Sequence, residues 1–246
     1  MFAHSPKIVT DGLVLALDAG NVKSYVSGST TWFDKSGFSN NGTLLNGPTF
    51  SLANGGSIVF DGTNDYITVP YNSSLEFCNS NNDLPFSFSV WCYINNLTNQ
   101  FNLHNKGDNG NGILESYAAS VTTLGSFSFI LYDQGGPNQS QIFSISTVPT
   151  GSWVNLVGIY SGTGGNAGVT LYINSVPQLT NTGSSGTYVR MRPQSTGLFV
   201  GSFGSTGTYK SIQSNGRYAS FTFYNRALSA VQVSQNFNAL RGRFGI

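Results

Sequence analysis

Apolar residues at every second position, in short runs cut by turn residues, leave this chain little choice but β-structure. In 86–94, Phe86, Phe88, Val90, Cys92 and Ile94 point to one side and Ser87, Ser89, Trp91 and Tyr93 to the other. That is the alternation of a strand with one face in a core. The same period predicts strands over 57–60, 66–69, 127–132, 153–160, 169–174, 198–202 and 218–224. Between them stand Asn41-Gly42, Asn46-Gly47-Pro48, Asn54-Gly55-Gly56, Gly135-Gly136-Pro137 and Gly162-Thr163-Gly164-Gly165, residues that supply the special φ values of tight turns. At this spacing roughly ten to fourteen strands fit, an all-β fold of two stacked antiparallel sheets.

One helix is predicted, near the end. Ser229 caps it, Gln232 stands at the capping-box position, Leu228 and Val233 form the staple, and Ala230, Val233, Phe237 and Leu240 follow helical spacing up to a stop at Gly242. No internal repeat and no Pro-rich or charged linker divides the chain. It reads as one sandwich over 13–240, with an N-terminal arm at 1–12 and a tail at 241–246. The tail, RGRFGI, is either a solvated end or an anchor docking into a neighbouring subunit.

Composition removes several function classes. Charged residues are 9% of the chain, with 11 Lys+Arg against 10 Asp+Glu, where about 25% is usual. A net charge of +1 gives no basic face to neutralise a phosphate backbone, so nucleic acid is not an expected partner. With 39% hydrophobic and 13% aromatic residues the chain can bury a core, yet it has no apolar run of about 18 residues to insert in a membrane. The first ten residues lack the charged start and apolar segment of a secretory signal. Cys78 and Cys92 carry no CxxC or Cys/His pattern; they read as two free thiols, with a single disulfide the alternative. Asn-x-Ser/Thr matches at Asn41, Asn72, Asn96 and Asn138 are expected by chance in so Asn- and Ser-rich a chain.

Several segments, in order, resemble the laminin-G-like, or concanavalin A-like, jelly-roll family of lectin and glucanase folds. SIVFDGTNDYI at 57–67 is similar to the family's FDGxxDYI turn, and FSFSVW at 86–91 to its next strand. WVNLVGIY at 153–160 with LYINSV at 171–176 looks like its WHHVAxxYDG and LYVNGV pair, and YNRALS at 224–229 matches its terminal signature. The resemblance implies a two-sheet antiparallel jelly-roll sandwich with one short C-terminal helix. The opening segments DGLVLALDAGN (11–21), WFDKSG (32–37) and NGTLLNGP (41–48), with the closing QNFNALRGRFG (235–245), resemble single-domain virion proteins of tailed, particularly marine, bacteriophages.

A glycosidase on such a fold needs two carboxylates about 5–5.5 Å apart, or about 6.5–9.5 Å for inversion. The only glutamates, Glu76 and Glu115, stand alone, no ExDxxE-type strand is present, and His4 and His104 accompany no GxSxG elbow. No catalytic residue is assigned. Relatives with the FDGxxDYI turn bind calcium there, so Asp61 and Asp65 are the candidate metal ligands. Against that, the strand positions that carry an acidic pair in relatives are Ala219 and Ser220 here, and Asx side chains also serve simply to cap turn amides.

Sugar binding needs an exposed ring to stack on a pyranose and amides or acids to read hydroxyls. Trp91 and Tyr93, on the strand face away from the Phe-rich set, are candidates, with packing under a cover the alternative for Trp91. Tyr117 is a further one, and the Asn-rich segment 95–111, with His104, Lys106 and Asp108, is read as a polar rim. The expected function is a non-enzymatic virion surface protein, in a tail fibre, baseplate or capsid decoration, assembled in the host cytoplasm. Its expected partners are other virion proteins, further copies of itself and a host surface glycan. A free cellular lectin-like module and a polysaccharide hydrolase are the competing readings.

Overall fold

The period-two runs form the strands they predict, and these stack face to face. The computed structural model describes residues 6–79, 81–107, 115–135, 138–203 and 213–246. In chain order the strands begin with β1 (Leu13–Asp18), β2 (Thr31–Trp32), β3 (Gly42–Leu45), β4 (Thr49–Ser51), β5 (Ser57–Asp61) and β6 (Tyr66–Val69). They continue with β7 (Phe86–Ile94), β8 (Phe101–Gly107), β9 (Glu115–Val121), β10 (Ser126–Tyr132), β11 (Gln139–Thr147) and β12 (Trp153–Tyr160). The last are β13 (Val169–Ile173), β14 (Val176–Pro177), β15 (Thr180–Thr182), β16 (Leu198–Val200) and β17 (Asn215–Tyr224), followed by helix α1 (Ala230–Phe244).

Among the described residues, one antiparallel sheet has the order β14-β13-β12-β7-β17-β5-β4, with β1 also on β17, and the other β15-β11-β10-β9-β8-β16-β6-β3-β2. β17 pairs with β5 through 215–218 and with β1 through 220–224, and its register against β7 shifts between Tyr218 and Ser220. That irregularity bends the strand, as a bulge does, and lets it serve two partners on one edge. The inward rows meet as an aromatic core: Phe86 stacks on Phe77 at 4.4 Å and meets Phe129 edge-on at 5.6 Å. Cys78 and Cys92 are both buried and free.

The outward face of the β7 sheet is covered by the arm and the helix. Val9 donates its amide to Asn236 Oδ1 at 2.7 Å, and the Tyr224 hydroxyl donates to the Val9 carbonyl. The capping box at Ser229 and Gln232 forms as the sequence predicts. The helix does not stop at Gly242, however; it runs to Phe244 and ends at Gly245, whose φ of 75° is left-handed. The extra turn is held by tertiary contacts. Phe244 stacks on Trp91 at 4.3 Å, and Arg243 bonds Asp18 Oδ1 at 2.6 Å and the Asn54 carbonyl at 2.7 Å. These contacts outweigh the cost of about 1 kcal/mol for an interior glycine. Residues 243 and 244 therefore anchor the helix to its own sandwich.

Segment 95–111 is not a single polar rim. Its residues 101–107 are β8, buried throughout between β9 and β16. The Asn-rich composition hides this, because Asn102 and Asn105 stand where apolar strand residues usually do; the Asn102 amide donates to Ser214 Oγ, and Asn105 Nδ2 donates to the Phe203 carbonyl. The far end of the sandwich is tied by Asp83, whose carboxylate accepts from the Tyr160 and Tyr188 hydroxyls at 2.6 Å each and from the Met191 amide at 2.7 Å.

Candidate functional site

A ring that stacks on a sugar must have a face open to water, and three of the aromatic candidates do not. Trp91 is 2% exposed beneath Phe237 and Phe244 of α1; His104 and Tyr117 are fully buried between the sheets. They are corrected to core positions, Trp91 because a helix covers the outward face and His104 because a register shift in β8 turns its ring inward. Asp108 lies outside the described residues. Tyr93, Asp61 and Asp65, by contrast, gather at one end of the sandwich, where the β5–β6 turn, the β7–β8 loop and the start of β17 converge.

A notch of about 210 Å³ opens there, lined by Gly62, Asn96, Thr98, Asn99, Gln213 and Asn215. Each of these except the glycine offers an amide or hydroxyl, and none carries a charge. Gly62 shapes the notch: its φ of 79° is left-handed, and a Cβ there would stand 2.8 Å from Asn215. Asn215 is fixed by accepting from Asn95 Nδ2 at 2.6 Å, while Asn96 Oδ1 accepts from the Thr98 amide. Ligand pockets usually measure about 300–1,000 Å³, so this notch holds the edge of one small ring and leaves the rest of a ligand on the surface.

Two residues along β17 from Asn215, about 7 Å on the same face, Arg217 lies between Val59 and Tyr93. Its guanidinium sits 5.2 Å from the Tyr93 ring centroid, and Trp153 meets that ring edge-on at 5.7 Å. The Trp153 indole donates to Asn54 Oδ1 at 3.1 Å. Gly216 brings the strands this close, since a Cβ there would collide with the Tyr93 carbonyl. Tyr93 and Arg217 are both half-buried, a ring and a cation held side by side next to the amide notch.

Asp61 and Asp65 are occupied by their own turn. Asp65 Oδ2 accepts the Asp61 amide at 3.0 Å, and Asp61 Oδ1 accepts the Thr63 amide at 2.7 Å. Burial pushes the Asp65 carboxyl above its ordinary range, with the Asp61 charge adding to the rise. Calcium takes six to eight oxygens. The described residues bring no third acidic ligand to this pair, and Ser220 pairs with Asp18 and Trp91 instead of Asp61, so a calcium here would rely on backbone and amide oxygens. Adding millimolar calcium to chelated protein is expected to leave the melting temperature unchanged; a rise of several degrees would show that further ligands complete the site.

Sequence reading missed Arg217, Asn215 and Asn99. Arg217 falls in a strand whose N-terminal half breaks the alternation at Gly216, and the two asparagines stand in a chain where Asn is everywhere. Other polar surfaces compete less well. On the outward face of the second sheet the amides satisfy one another's neighbours, Gln141 bonding Ser128 at 3.0 Å and Gln139 bonding Gln141 at 2.8 Å. A larger depression of about 340 Å³ beside Tyr25 and Phe50 has hydroxyls already committed to backbone, Tyr25 to Ser29 and Ser29 to Thr31.

A family model described as the concanavalin A-like lectin/glucanases superfamily matches residues 61–234. No curated protein matches the chain significantly. Among solved structures, the binding domain of Paraclostridial Mosquitocidal Protein 1 superposes with a TM-score of 0.68 at 20% identity, over 94% of this chain and 52% of that one. The botulinum neurotoxin serotype D ligand-binding domain, in complex with N-acetylneuraminic acid, gives 0.67 at 14% identity over 93% and 51%. Domain 4 of AbnA, an extracellular arabinanase of Geobacillus stearothermophilus, in complex with arabinotriose, gives 0.63 at 16% identity over 91% and 97%. The chain thus spans about half the length of the two toxin domains and nearly all of the arabinanase domain. At these identities the likeness is one of fold.

Proposed function

The chain belongs to the concanavalin A-like lectin/glucanases superfamily, and from that membership we propose that it is a non-catalytic saccharide-binding module whose site is the Asn-lined notch with the Tyr93 ring beside it. The observation that carries this reading is the notch itself: five uncharged hydrogen-bonding side chains around a space for one ring edge. Such groups match sugar hydroxyls, which both donate and accept. Two relatives of this fold were solved with saccharides, arabinotriose and N-acetylneuraminic acid, which supports the class of ligand.

The positions of eight of the ten acidic side chains support binding without cleavage. Asp34 is held by the Ala16, Ser36 and Asn40 amides, Asp18 and Asp11 by arginines, Glu76 by Lys106, Asp83 by two tyrosines and Asp133 by the Gly135, Val189 and Arg190 amides. Asp61 and Asp65 cap their own turn. Among the described residues these eight carboxylates are engaged with amides, hydroxyls or cations at separate places in the fold, which supports a site that holds a sugar without acid and base work.

The module is placed on the surface of a tailed-phage particle, as part of a tail fibre, baseplate or capsid decoration assembled in the host cytoplasm, in contact with further copies and other virion proteins. The likeness of segments 11–48 and 235–245 to virion proteins supports that placement, as does a low surface charge, since desolvating charges at repeated contacts is costly. Two experiments test the reading. On a glycan panel, Asn99→Ala and Asn215→Ala are each expected to weaken the best ligand about fivefold to tenfold; unchanged affinity would move the site elsewhere. In a density gradient the protein is expected to band with intact particles, and particle-free material would favour a free lectin.

A further inference from the structure

We infer that this site takes an acidic saccharide, with the sugar's carboxylate on the Arg217 guanidinium where it lies over the Tyr93 ring. The inference rests on the saccharide-binding reading above and adds the charge class of the ligand. It begins from an unbalanced cation. What sets Arg217 apart from the other described cations without an ion pair is its place, over the Tyr93 ring and two residues from the notch asparagine Asn215, whereas Lys106, Arg226 and Arg243 face Glu76, Asp11 and Asp18. Arg217 forms no ion pair among the described residues, and its Nε is buried with no hydrogen-bond partner. Its guanidinium lies over the face of Tyr93.

A guanidinium in that state is prepared for a planar anion. Arginine presents parallel N–H donors that match the two oxygens of a carboxylate. Stacking on Tyr93 already restricts the side chain, so less rotamer freedom is lost when a ligand arrives. The neighbourhood is nearly free of competing charge. Across the sheet Arg217 is flanked by Val59 and Tyr93; of the acids on the neighbouring strands, Asp61 lies opposite Asn215 with one oxygen accepting the Thr63 amide, and Asp18 is held by Arg243. Beyond Asn215 the amides of the notch are within reach of the next sugar unit, so one chain lying along β17 meets first a cation on a ring and then a polar cleft.

The test compares an acidic oligosaccharide, such as a trimer of uronic acid or a sialylated lactose, with its neutral counterpart, by calorimetry at low and at high ionic strength. Wild-type protein is expected to bind the acidic ligand at least about tenfold tighter than the neutral one, the strength of a charge-assisted bond pair. High salt is expected to shrink that gap. Arg217→Gln is expected to bring the ratio of acidic to neutral affinity to about one, and Arg217→Lys to keep only part of the preference because the fork is lost. A preference that survives in Arg217→Gln, or a wild type that binds both ligands equally at low salt, would overturn the inference and leave the lectin reading standing. Folded protein that binds no saccharide of either kind would overturn both. Should Arg217→Gln fail to fold, the wild-type preference and its salt dependence decide alone.

Discussion

Acidification from pH 6.5 to pH 3 is expected to remove about 4 kcal/mol of folding stability through His104 alone. The ring is fully buried, 4.3 Å from Phe88 and 5.1 Å from Phe223, and neither nitrogen has a hydrogen-bond partner. Burial pushes its pKa down from 6.5 to about 3, because nothing in the core compensates an imidazolium. The unfolded chain therefore takes up this proton first. The contribution is fully present above pH 6.5, is lost progressively as the pH falls from 6.5 towards the folded value near 3, and levels off below it. Denaturant titrations at several pH values measure it, and His104→Leu separates it from the carboxylates. The variant is expected to be about 1–3 kcal/mol more stable at pH 7, since two unpaired buried polar atoms are gone, and to lose the acid-dependent part. Identical pH slopes in both proteins would contradict the placement of the ring.

Phe244→Ala is expected to cost about 4 kcal/mol and to uncover two tryptophans. The ring stacks on Trp91 at 4.3 Å and lies 4.7 Å from Trp153, so the emission maximum should shift to the red as α1 loosens. Deleting 241–246 is expected to cost more than the single change, because Arg243 leaves with its bonds to Asp18, Asn54 and Gly56. A tail serving only to dock into another subunit would behave differently. Its removal would leave the melting temperature and the tryptophan emission as they were, within the roughly 0.5 kcal/mol typical of inconsequential surface changes.

The sheets were legible where strands bury one apolar row, as in Phe86–Ile94 and Trp153–Tyr160, whose ends match the alternation residue for residue. They were illegible where polar residues fill a buried strand. In β8 the order Asn102, Leu103, His104, Asn105, Lys106 imitates a loop, and only partners distant in sequence, such as Ser214 for Asn102 and the Gln194 carbonyl for Lys106, make its burial tolerable. The stop assigned to Gly242 failed for a related reason: local propensity cannot register that Arg243 and Phe244 find partners more than 150 residues away. At the site, Tyr93 and the Asp61 turn carried a pattern, whereas Arg217 and Asn215 acquire meaning only when β17 lies between β5 and β7. Composition foretold that the rim would be amide-rich; which amides converge is decided by strand pairing.

The most direct measurement incubates the purified protein with a panel of neutral and acidic polysaccharides and follows, in the same samples, retention of protein on the polymer and release of reducing ends. Retention on an acidic member with no growth of reducing ends over time is the expected result. Reducing ends that accumulate in proportion to protein, or folded protein that no polysaccharide retains, would contradict a sandwich end built to hold a sugar without cutting it.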